Sequence, residues 1–341
     1  MTALSARIFH PAPKSDSNKL KIKMKMPPNA KPQIEKTMLH HASTPLELSH
    51  VPPVLKSFSA RVFAAFLLLT TLTPLRAQDA SESPSGTDIF SKWMNMVSKT
   101  QAEQPHWVTP LVTVTPRLEQ EYRYDQSLQA TAGGNRLTSY GGGKGLEIIP
   151  AEPVEIIAGI PAWQAHKESK DRDGFADDSF LLKYRLLSAN EENGNYILTA
   201  FMGATVPTGS FDNTSDRYTF TPAIAGGKGW GRFDFQSTLG LSLPTDHGTD
   251  PTGPGTPLAF NTAFQYKVGT VIWPQLEANY TYYPDGKHEG KEQLFLTPGV
   301  LFGRFPIWQR LAMTTGLGYQ LAVTKKPLYY NNFLVTVRFP F

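Results

Sequence analysis

The sequence predicts an all-β protein, namely a transmembrane antiparallel β-barrel of about 12 strands preceded by a cleaved signal peptide and a short N-terminal helix. Three observations predict this fold. Near the carboxy terminus Phe333, Val335 and Val337 share one face of a strand, and the chain ends on the aromatic Phe341. Strand-like segments separated by turn residues run from Trp107 to this end. A signal-like apolar run precedes them all.

Residues 1–77 form the predicted N-terminal extension and signal peptide. Arg61 precedes an apolar run over 62–72, and Leu75-Arg76-Ala77 fits a cleavage site, so we expect the mature chain to start at Gln78. The run is about 11 residues long, whereas a transmembrane helix needs about 20. The Lys- and Pro-rich stretch before it is explained either by a true start near Val54 or by a disordered arm.

Composition excludes several classes of function. The chain has no cysteine, which removes disulfides, thiolate metal sites and cysteine nucleophiles. The formal charge is +4, yet the first 77 residues hold 11 of the 33 basic and 3 of the 29 acidic residues. The remainder is therefore slightly acidic, and we expect no nucleic-acid partner.

Residues 78–106 are predicted to be a periplasmic linker with one short helix. Apolar residues recur at helical spacing after a possible cap at Thr87 or Asp88; they are Ile89, Phe90, Trp93, Met94 and Val97. The pattern leaves two roles open. The helix either packs loosely under the barrel or plugs its mouth.

Residues 107–341 are predicted to be the outer-membrane β-barrel. An even number of strands is typical of single-chain bacterial barrels. Connections after odd-numbered strands are longer than those after even-numbered strands, which indicates extracellular loops on one side and periplasmic turns on the other. Both ends of the barrel chain then lie in the periplasm. The twelve expected strands are 107–125, 137–149, 154–165, 175–188, 195–207, 217–226, 232–243, 258–268, 271–283, 291–303, 311–324 and 331–341.

Alternation within the segments predicts one lipid-facing and one lumen-facing side. In the seventh segment Phe233 and Leu239 oppose Asp234 and Gln236. A soluble sandwich could show the same alternation, so the membrane interpretation depends on its combination with the signal peptide, the even count and the loop asymmetry. Aromatic residues near strand ends are expected to form interfacial girdles: Trp107, Trp163, Tyr218, Trp230, Trp273, Tyr282, Tyr283, Trp308 and Tyr329.

A family resemblance accompanies this pattern. It is carried by the segments 105–111, 117–124, 141–147, 172–177, 180–185 and 207–209. Through these segments residues 105–341 resemble the transporter-like outer-membrane barrels labelled as proteins of the MetA pathway of phenol degradation. The resemblance implies passage of aromatic or other hydrophobic solutes. Its motifs mark scaffold positions, and no catalytic residue follows from them.

The candidate site is a set of charged residues expected to line the lumen. An unpaired buried charge is costly, so these groups must be paired or wet. They either form a network that fills and rigidifies the barrel or a mixed-charge constriction that selects solutes. Twelve strands lie between a filled barrel and a wide pore, which favours a narrow or gated passage. The candidates are Glu119, Glu121, Arg123, Asp125, Lys183, Arg185, Asp234, Lys267, Glu277 and Arg338.

Two further motifs have simpler explanations than a binding site. The acidic stretch 171–178 is similar to a calcium loop but has Leu182 at the twelfth position, where a bidentate Glu is required, so we interpret it as a solvated turn. The glycines of 141–145 are followed by no P-loop Lys-Ser/Thr. They are expected to bend a strand or to allow close backbone approach.

We therefore expect a bacterial outer-membrane channel or transporter for passive uptake or efflux of small solutes. The alternatives are a structural or adhesive barrel without transport and, less favoured, an outer-membrane lipid hydrolase, since no nucleophile can be paired with any of the four mature-chain histidines, His106, His166, His247 and His288. No enzyme activity, cofactor or metal is expected. The expected partners are outer-membrane lipids, a small-molecule solute and the barrel-assembly machinery, through the strand that ends in Phe341.

Overall fold

The computed structural model describes residues 86–131, 134–245, 253–325 and 327–341. All of them belong to one compact unit that spans 81–341. The predicted extension, signal peptide and cleavage site, residues 1–77, lie outside the described residues, as does His247.

The strands form one closed antiparallel barrel. Strand β1 pairs with β16 as well as with β2 and β3, so the first and last strands meet. Interrupted strands count once (β2 with β3, β4 with β5, β6 with β7, β10 with β11), which gives the predicted twelve. The bounds are β1 Glu121–Thr131, β2 Arg136–Tyr140, β3 Gly145–Ala151, β4 Val154–Ala158, β5 Trp163–Lys167, β6 Gly174–Phe175, β7 Asp178–Ala189, β8 Tyr196–Val206, β9 Thr219–Trp230, β10 Phe233–Leu241, β11 Leu243–Pro244, β12 Leu258–Tyr266, β13 Ile272–Tyr283, β14 Lys291–Trp308, β15 Leu311–Ala322 and β16 Tyr329–Pro340.

The wall is inside out relative to a soluble protein. On β13 the polar Gln275, Glu277 and Asn279 are buried, whereas Leu276 between them is 46% exposed. β10 repeats the pattern, and large apolar side chains stay exposed around the barrel. A water-soluble sheet would bury its apolar face, whereas a membrane barrel presents it to lipid. The predicted alternation is confirmed.

The connections differ in length at the two ends of the barrel. At one end, which we name the turn end, neighbouring strands are joined by short connections such as 231–232 and 309–310. At the opposite end, the loop end, connections such as 207–218 and 284–290 are longer. This agrees with the predicted asymmetry. β1 begins and β16 finishes at the turn end.

The predicted glycine bend lies between β2 and β3. Gly141, Gly142 and Gly143 all have positive φ, at 77°, 81° and 74°. A Cβ on Gly143 would collide with the Asp125 carboxylate of β1. Glycine is therefore required here for both backbone conformation and close approach.

The predicted first strand, 107–125, is wrong over most of its length. β1 begins only at Glu121, and residues 104–120, which we name the inner segment, form neither helix nor strand of any length. The physical reason is proline. Pro110 and Pro116 have no N–H to donate to a strand ladder, so this stretch cannot form a central strand. The first residues of the predicted barrel domain thus belong to a different structure.

Helix α1, Gly86–Ala102, precedes the inner segment and lies at the turn end. Its Trp93 indole donates to the Ile149 carbonyl over 2.7 Å, and Val97 packs with Leu118 and Ile149 in a small apolar cluster. Among the described residues no helix is both long and apolar enough to cross a membrane.

Candidate functional site: the occupied lumen

The inner segment lies inside the barrel. It contacts buried, polar side chains of the wall, including residues of β1, β4, β13 and β16. These side chains alternate with exposed apolar ones along the strands, so their side of the wall is the lumen face. It starts at the turn end, where His106 contacts Glu191 of the β7–β8 turn. It reaches Asn279, seven residues beyond the first residue of β13, and returns to begin β1 at the same end. At about 3.4 Å per residue, this is roughly 24 Å measured along the strand.

Glu277 holds the deepest part of the inner segment. Its buried carboxylate accepts the backbone N–H groups of Leu111 at 2.8 Å, Val112 at 2.9 Å and Thr113 at 2.6 Å. Gln275 donates to the same carboxylate at 2.7 Å. Three successive backbone donors around one carboxylate form an anion nest. Glu277 therefore fixes the tip of the segment.

Two arginines of the wall bind carbonyl groups on the other side of the inner segment. Arg338 of β16 donates to the carbonyls of Thr109 and Pro110, the latter at 2.7 Å. Arg123 of β1, paired in register with Arg338, donates to the Leu111 carbonyl at 2.6 Å. Backbone acceptors without a strand partner are thereby satisfied.

A buried charge network holds the returning part of the segment. Lys183 of β7 and Glu155 of β4 form an ion pair at 2.9 Å with both side chains inaccessible. Lys183 also donates to the Arg117 carbonyl at 3.0 Å, and Glu155 accepts the Glu119 N–H at 2.6 Å. Arg117 and Glu119 are paired at 2.7 Å. The charges are therefore compensated in the way that burial requires.

Two apolar side chains fit into glycine-lined notches in the wall. A Cβ on Gly227 would stand 2.5 Å from the Trp107 ring, and one on Gly318 would stand 2.6 Å from a methyl of Leu111. Real Cβ atoms do not approach so closely, so the wall needs glycine at these positions. Trp107 and Trp273, both predicted as interfacial residues, are instead buried on the lumen side.

The candidate residues do not all occupy the predicted place. Glu121, Arg123, Lys183, Asp234, Glu277 and Arg338 are buried on the lumen face of strands. Glu119 belongs to the inner segment rather than the wall. Arg185 lies near α1 and donates to the Thr100 carbonyl at 2.8 Å. Lys267 lies outside any strand, in the β12–β13 turn. A role of these residues in passage stays a prediction.

Sequence reasoning missed several lumen residues. Glu147 and Glu155 are fully buried on the lumen face. The lumen side of Gln236 was predicted, but its bond to the Val108 carbonyl at 3.1 Å was not. Glu147 alternates with apolar neighbours in its segment, a signal that could have identified it. Thr115, which donates to Gln236 at 2.7 Å, had no such signal, because the inner segment has no strand period.

The acidic stretch at the loop end ties two loops together. Asp173 accepts the His166 N–H at 2.8 Å, and Asp177 accepts the N–H groups of Gly209 and Ser215. His166 contacts the Asn213 amide oxygen at 2.7 Å. Within the described part of the chain no group of three or more acidic or histidine side chains is arranged to hold a metal ion.

The geometry determines where the protein resides. A closed antiparallel barrel leaves no unpaired edge, and its apolar outer and polar inner faces suit lipid and water respectively. The protein is a bacterial outer-membrane β-barrel.

Comparison with solved structures finds outer-membrane channels and porins. An outer membrane channel from Pseudomonas putida F1 is 16% identical over 64% of this chain and 92% of its own, with a TM-score of 0.46. The NanC porin is 8% identical over 65% of this chain and 99% of its own, with a TM-score of 0.44. The KdgM porin, also 8% identical with the same coverage, has a TM-score of 0.43. No curated protein sequence matches the chain.

One family model matches residues 119–330, which is more than half of the chain. Its description is "Putative MetA-pathway of phenol degradation". The match covers the wall from just before β1 to the start of β16. The chain therefore belongs to this family of the MetA pathway of phenol degradation.

Proposed function

We propose that the protein is a channel for passive uptake or efflux of small solutes across the outer membrane, and that the inner segment is its gate. The observation that carries this proposal is the kind of contact that holds the segment. Trp107 lies in a glycine notch, and Val108, Leu111 and Val112 pack against the wall residues Trp273 and Leu301. The backbone of the deep part is otherwise bound by polar wall groups.

Polar contacts of this kind suit a movable element. A hydrogen bond inside a protein contributes only about 0.5–1.5 kcal/mol net, because water can replace either partner. When the segment leaves, the carboxylate of Glu277 and the guanidinium groups of Arg123 and Arg338 would face water rather than an apolar void. The lumen without the segment is therefore a wettable, mixed-charge passage of the kind that conducts solutes.

The solute class is part of the proposal. The family's description names phenol degradation, and the Pseudomonas putida F1 protein is described as an outer membrane channel. These descriptions support small, aromatic or otherwise hydrophobic solutes. Neither direction of passage is favoured by the chain itself, since passive flow follows the solute gradient.

The C-terminal strand has a proposed role in assembly. β16 closes the barrel against β1, and the Phe341 N–H donates to the Gln120 carbonyl at 3.0 Å. Before closure this strand presents an unpaired edge that ends in an aromatic residue. We infer that the barrel-assembly machinery recognises it, and that removal of Phe341 slows membrane insertion in cells without changing the fold of refolded protein.

The experiment is single-channel recording in a planar bilayer. We compare the refolded chain from residue 78 with Glu277→Ala, which removes the acceptor of three backbone N–H groups. More frequent or longer openings are expected in the variant. Asn332→Ala is the matched control, because Asn332 faces the lumen but donates to Gln320 of the wall. Its openings should equal those of the parent chain.

A structural barrel without transport is the second candidate. The observation that favours it is the buried pair Lys183–Glu155, which also binds the inner segment and would be costly to expose. A structural barrel predicts that the parent chain and both variants show no channel openings although each is folded. Folding is verified by the different electrophoretic mobility of heated and unheated barrel.

A further inference from the structure

A cavity of about 260 Å³ lies at the turn end of the lumen, where the inner segment begins. Trp107 of the inner segment, Asn195 of the β7–β8 turn, Asp234 of β10 and Trp273 of β13 contribute to its lining. A dry cavity of about 150 Å³ already holds a benzene ring, and sites for drug-sized ligands begin at about 300 Å³. The volume therefore suits one substituted ring.

Three lining residues carry polar atoms that have no hydrogen-bond partner within the described residues. They are the indole nitrogen Nε1 of Trp107, the amide oxygen Oδ1 of Asn195 and the carboxylate oxygen Oδ2 of Asp234. These residues are only 4%, 7% and 1% exposed. An unpaired buried polar group costs about 1–3 kcal/mol, and most such groups in folded proteins are paired. Three around one cavity indicate that a partner belongs there.

The wall does not supply those partners by other means. The second carboxylate oxygen of Asp234 accepts from Gln236 at 3.0 Å, which holds the group in place and leaves Oδ2 unpaired. Asn195 has a positive φ of 53°, a conformation that asparagine tolerates well. That conformation explains the residue type, yet it does not require a buried, unpaired amide oxygen.

The cavity also has an aromatic lining. Two of its residues are tryptophans, and the Lys267 ammonium stands 5.2 Å from the ring centre of Trp273. Indole rings bind planar solutes by offset or edge-to-face contact. The unpaired atoms of the lining are thus two hydrogen-bond acceptors and one donor, beside aromatic surface and the charged side chains of Arg232, Lys267 and Glu191.

We propose that this cavity, the mouth site, binds a single-ring aromatic solute that carries hydroxyl groups. A hydroxyl both donates and accepts hydrogen bonds. A dihydroxylated ring can therefore donate to the oxygens of Asp234 and Asn195 and accept from the indole nitrogen of Trp107. The inference rests on the proposed function, for which the mouth site is the place where a solute pauses beside the gate. Small side-chain adjustments at the lining admit the solute to these atoms.

Equilibrium binding to the detergent-solubilised chain tests the mouth site. Isothermal titration uses catechol, with benzene as the probe that lacks hydroxyls and cyclohexane-1,2-diol as the probe that lacks the aromatic ring. We expect catechol to bind at least about tenfold more tightly than either, since one good hydrogen bond to a charged group contributes about 1.5–3 kcal/mol.

Variants place the binding at the cavity. Asp234→Leu and Trp273→Leu should each weaken catechol binding about tenfold, and Trp273→Phe should keep most of it. Trp163→Leu is the matched control, because Trp163 packs on Phe175 toward the loop end. Its affinity should equal that of the parent. If Asp234→Leu does not give a folded barrel, the catechol affinities of Trp273→Phe and Trp273→Leu still show whether catechol binds at the cavity.

Two results would overturn the inference. One is equal binding of catechol and benzene, and the other is catechol binding that the 234 and 273 variants leave unchanged; either means that the cavity holds water only. The failure of the proposed function is separable, because titration requires no flow. If catechol binds to a barrel that does not conduct, the channel proposal is rejected and the mouth site is kept. If the barrel conducts but does not bind catechol, only the mouth site is rejected.

Discussion

The wall of the barrel and the inner segment are both polar on their shared surface, but they are held in different ways. Each wall strand is paired on both sides by a backbone ladder that only unfolding can break. The inner segment has no ladder, and its N–H and carbonyl groups depend on side chains such as Glu277 and Arg338. Under the proposed gate we therefore expect that a small change in the wall releases the segment while the barrel stays closed.

The largest expected effect comes from breaking the buried pair that joins wall and segment. Lys183→Met leaves the Glu155 carboxylate buried without its cation, which should lower the free energy of unfolding by about 3–5 kcal/mol. Urea titration of the refolded barrel measures it. The double variant Lys183→Met/Glu155→Leu should recover part of the loss, because it removes the uncompensated charge but also removes the partners of the Arg117 carbonyl and the Glu119 N–H. A double variant as unstable as the single one would show that packing, not charge, holds this region.

A charge on the outer face tests the wall alone. Leu239, near the middle of the interrupted strand formed by β10 and β11, is 44% exposed on the lipid-facing side. Leu239→Arg should cost about 2–4 kcal/mol in a bilayer. Tyr218→Arg, at the loop end, should cost only about 0–1 kcal/mol, since the penalty falls near the interface. Equal costs at both depths would contradict the orientation of the barrel.

A larger side chain in a glycine notch should displace the inner segment. Gly227→Val would collide with the Trp107 ring at 2.5 Å and would also press on the Phe235 carbonyl of β10 at 2.9 Å, at an expected cost of about 1–3 kcal/mol. We expect a red shift of tryptophan emission and faster proteolysis before residue 121, with an intact barrel core. Gly226→Val is the matched control, because a Cβ there meets only ordinary contacts at 3.5 Å. The same proteolysis in both variants would mean that the strand itself had been disturbed.

The smallest expected effect is a pH dependence at the start of the segment. Burial alone would raise the pKa of the Glu191 carboxyl, but hydrogen bonds from the backbone and ring of His106 lower this pKa below its usual value. A lowered pKa in the folded state stabilises the contact above the ordinary pKa of Glu, and the stabilisation is lost as pH falls through the lowered value.

Openings should therefore become slightly more frequent as pH falls below the ordinary pKa of Glu and through the lowered pKa of Glu191. Single-channel recording over this range measures the change. Glu191→Gln should remove the part of the pH dependence that this carboxyl causes. A pH profile identical in parent and variant would show that the His106–Glu191 contact does not restrain the segment.

The sequence predicted the wall well because the strand period is local. Alternation of Asp234 and Gln236 with Phe233 and Leu239 fixes which side faces lipid without knowledge of the rest of the chain. The lumen position of Lys183 and Glu277 followed from the same rule. Their partners did not, because Glu277 binds backbone more than 160 residues away, and such pairing depends on barrel closure and register.

The inner segment could not be predicted by period, since none is present. Its Trp107, Val108 and Leu111 are residue types that are common in strands, so composition alone does not distinguish it from one. The signal against a strand was Pro110 and Pro116, whose missing N–H groups are incompatible with a ladder. Glu119, predicted on the first strand, belongs to the inner segment for the same reason.

Reversible locking of the inner segment tests the gate most directly. The chain has no cysteine, so Thr113→Cys/Asn279→Cys adds one defined pair of cysteines. In the parent chain Oγ1 of Thr113 and Nδ2 of Asn279 are 3.4 Å apart. Single-channel recording is made before and after reduction, with the disulfide verified by mass spectrometry. The account predicts silence when the pair is oxidised and openings after reduction. Equal conductance in the two states would contradict it, because solutes would then pass without movement of the segment.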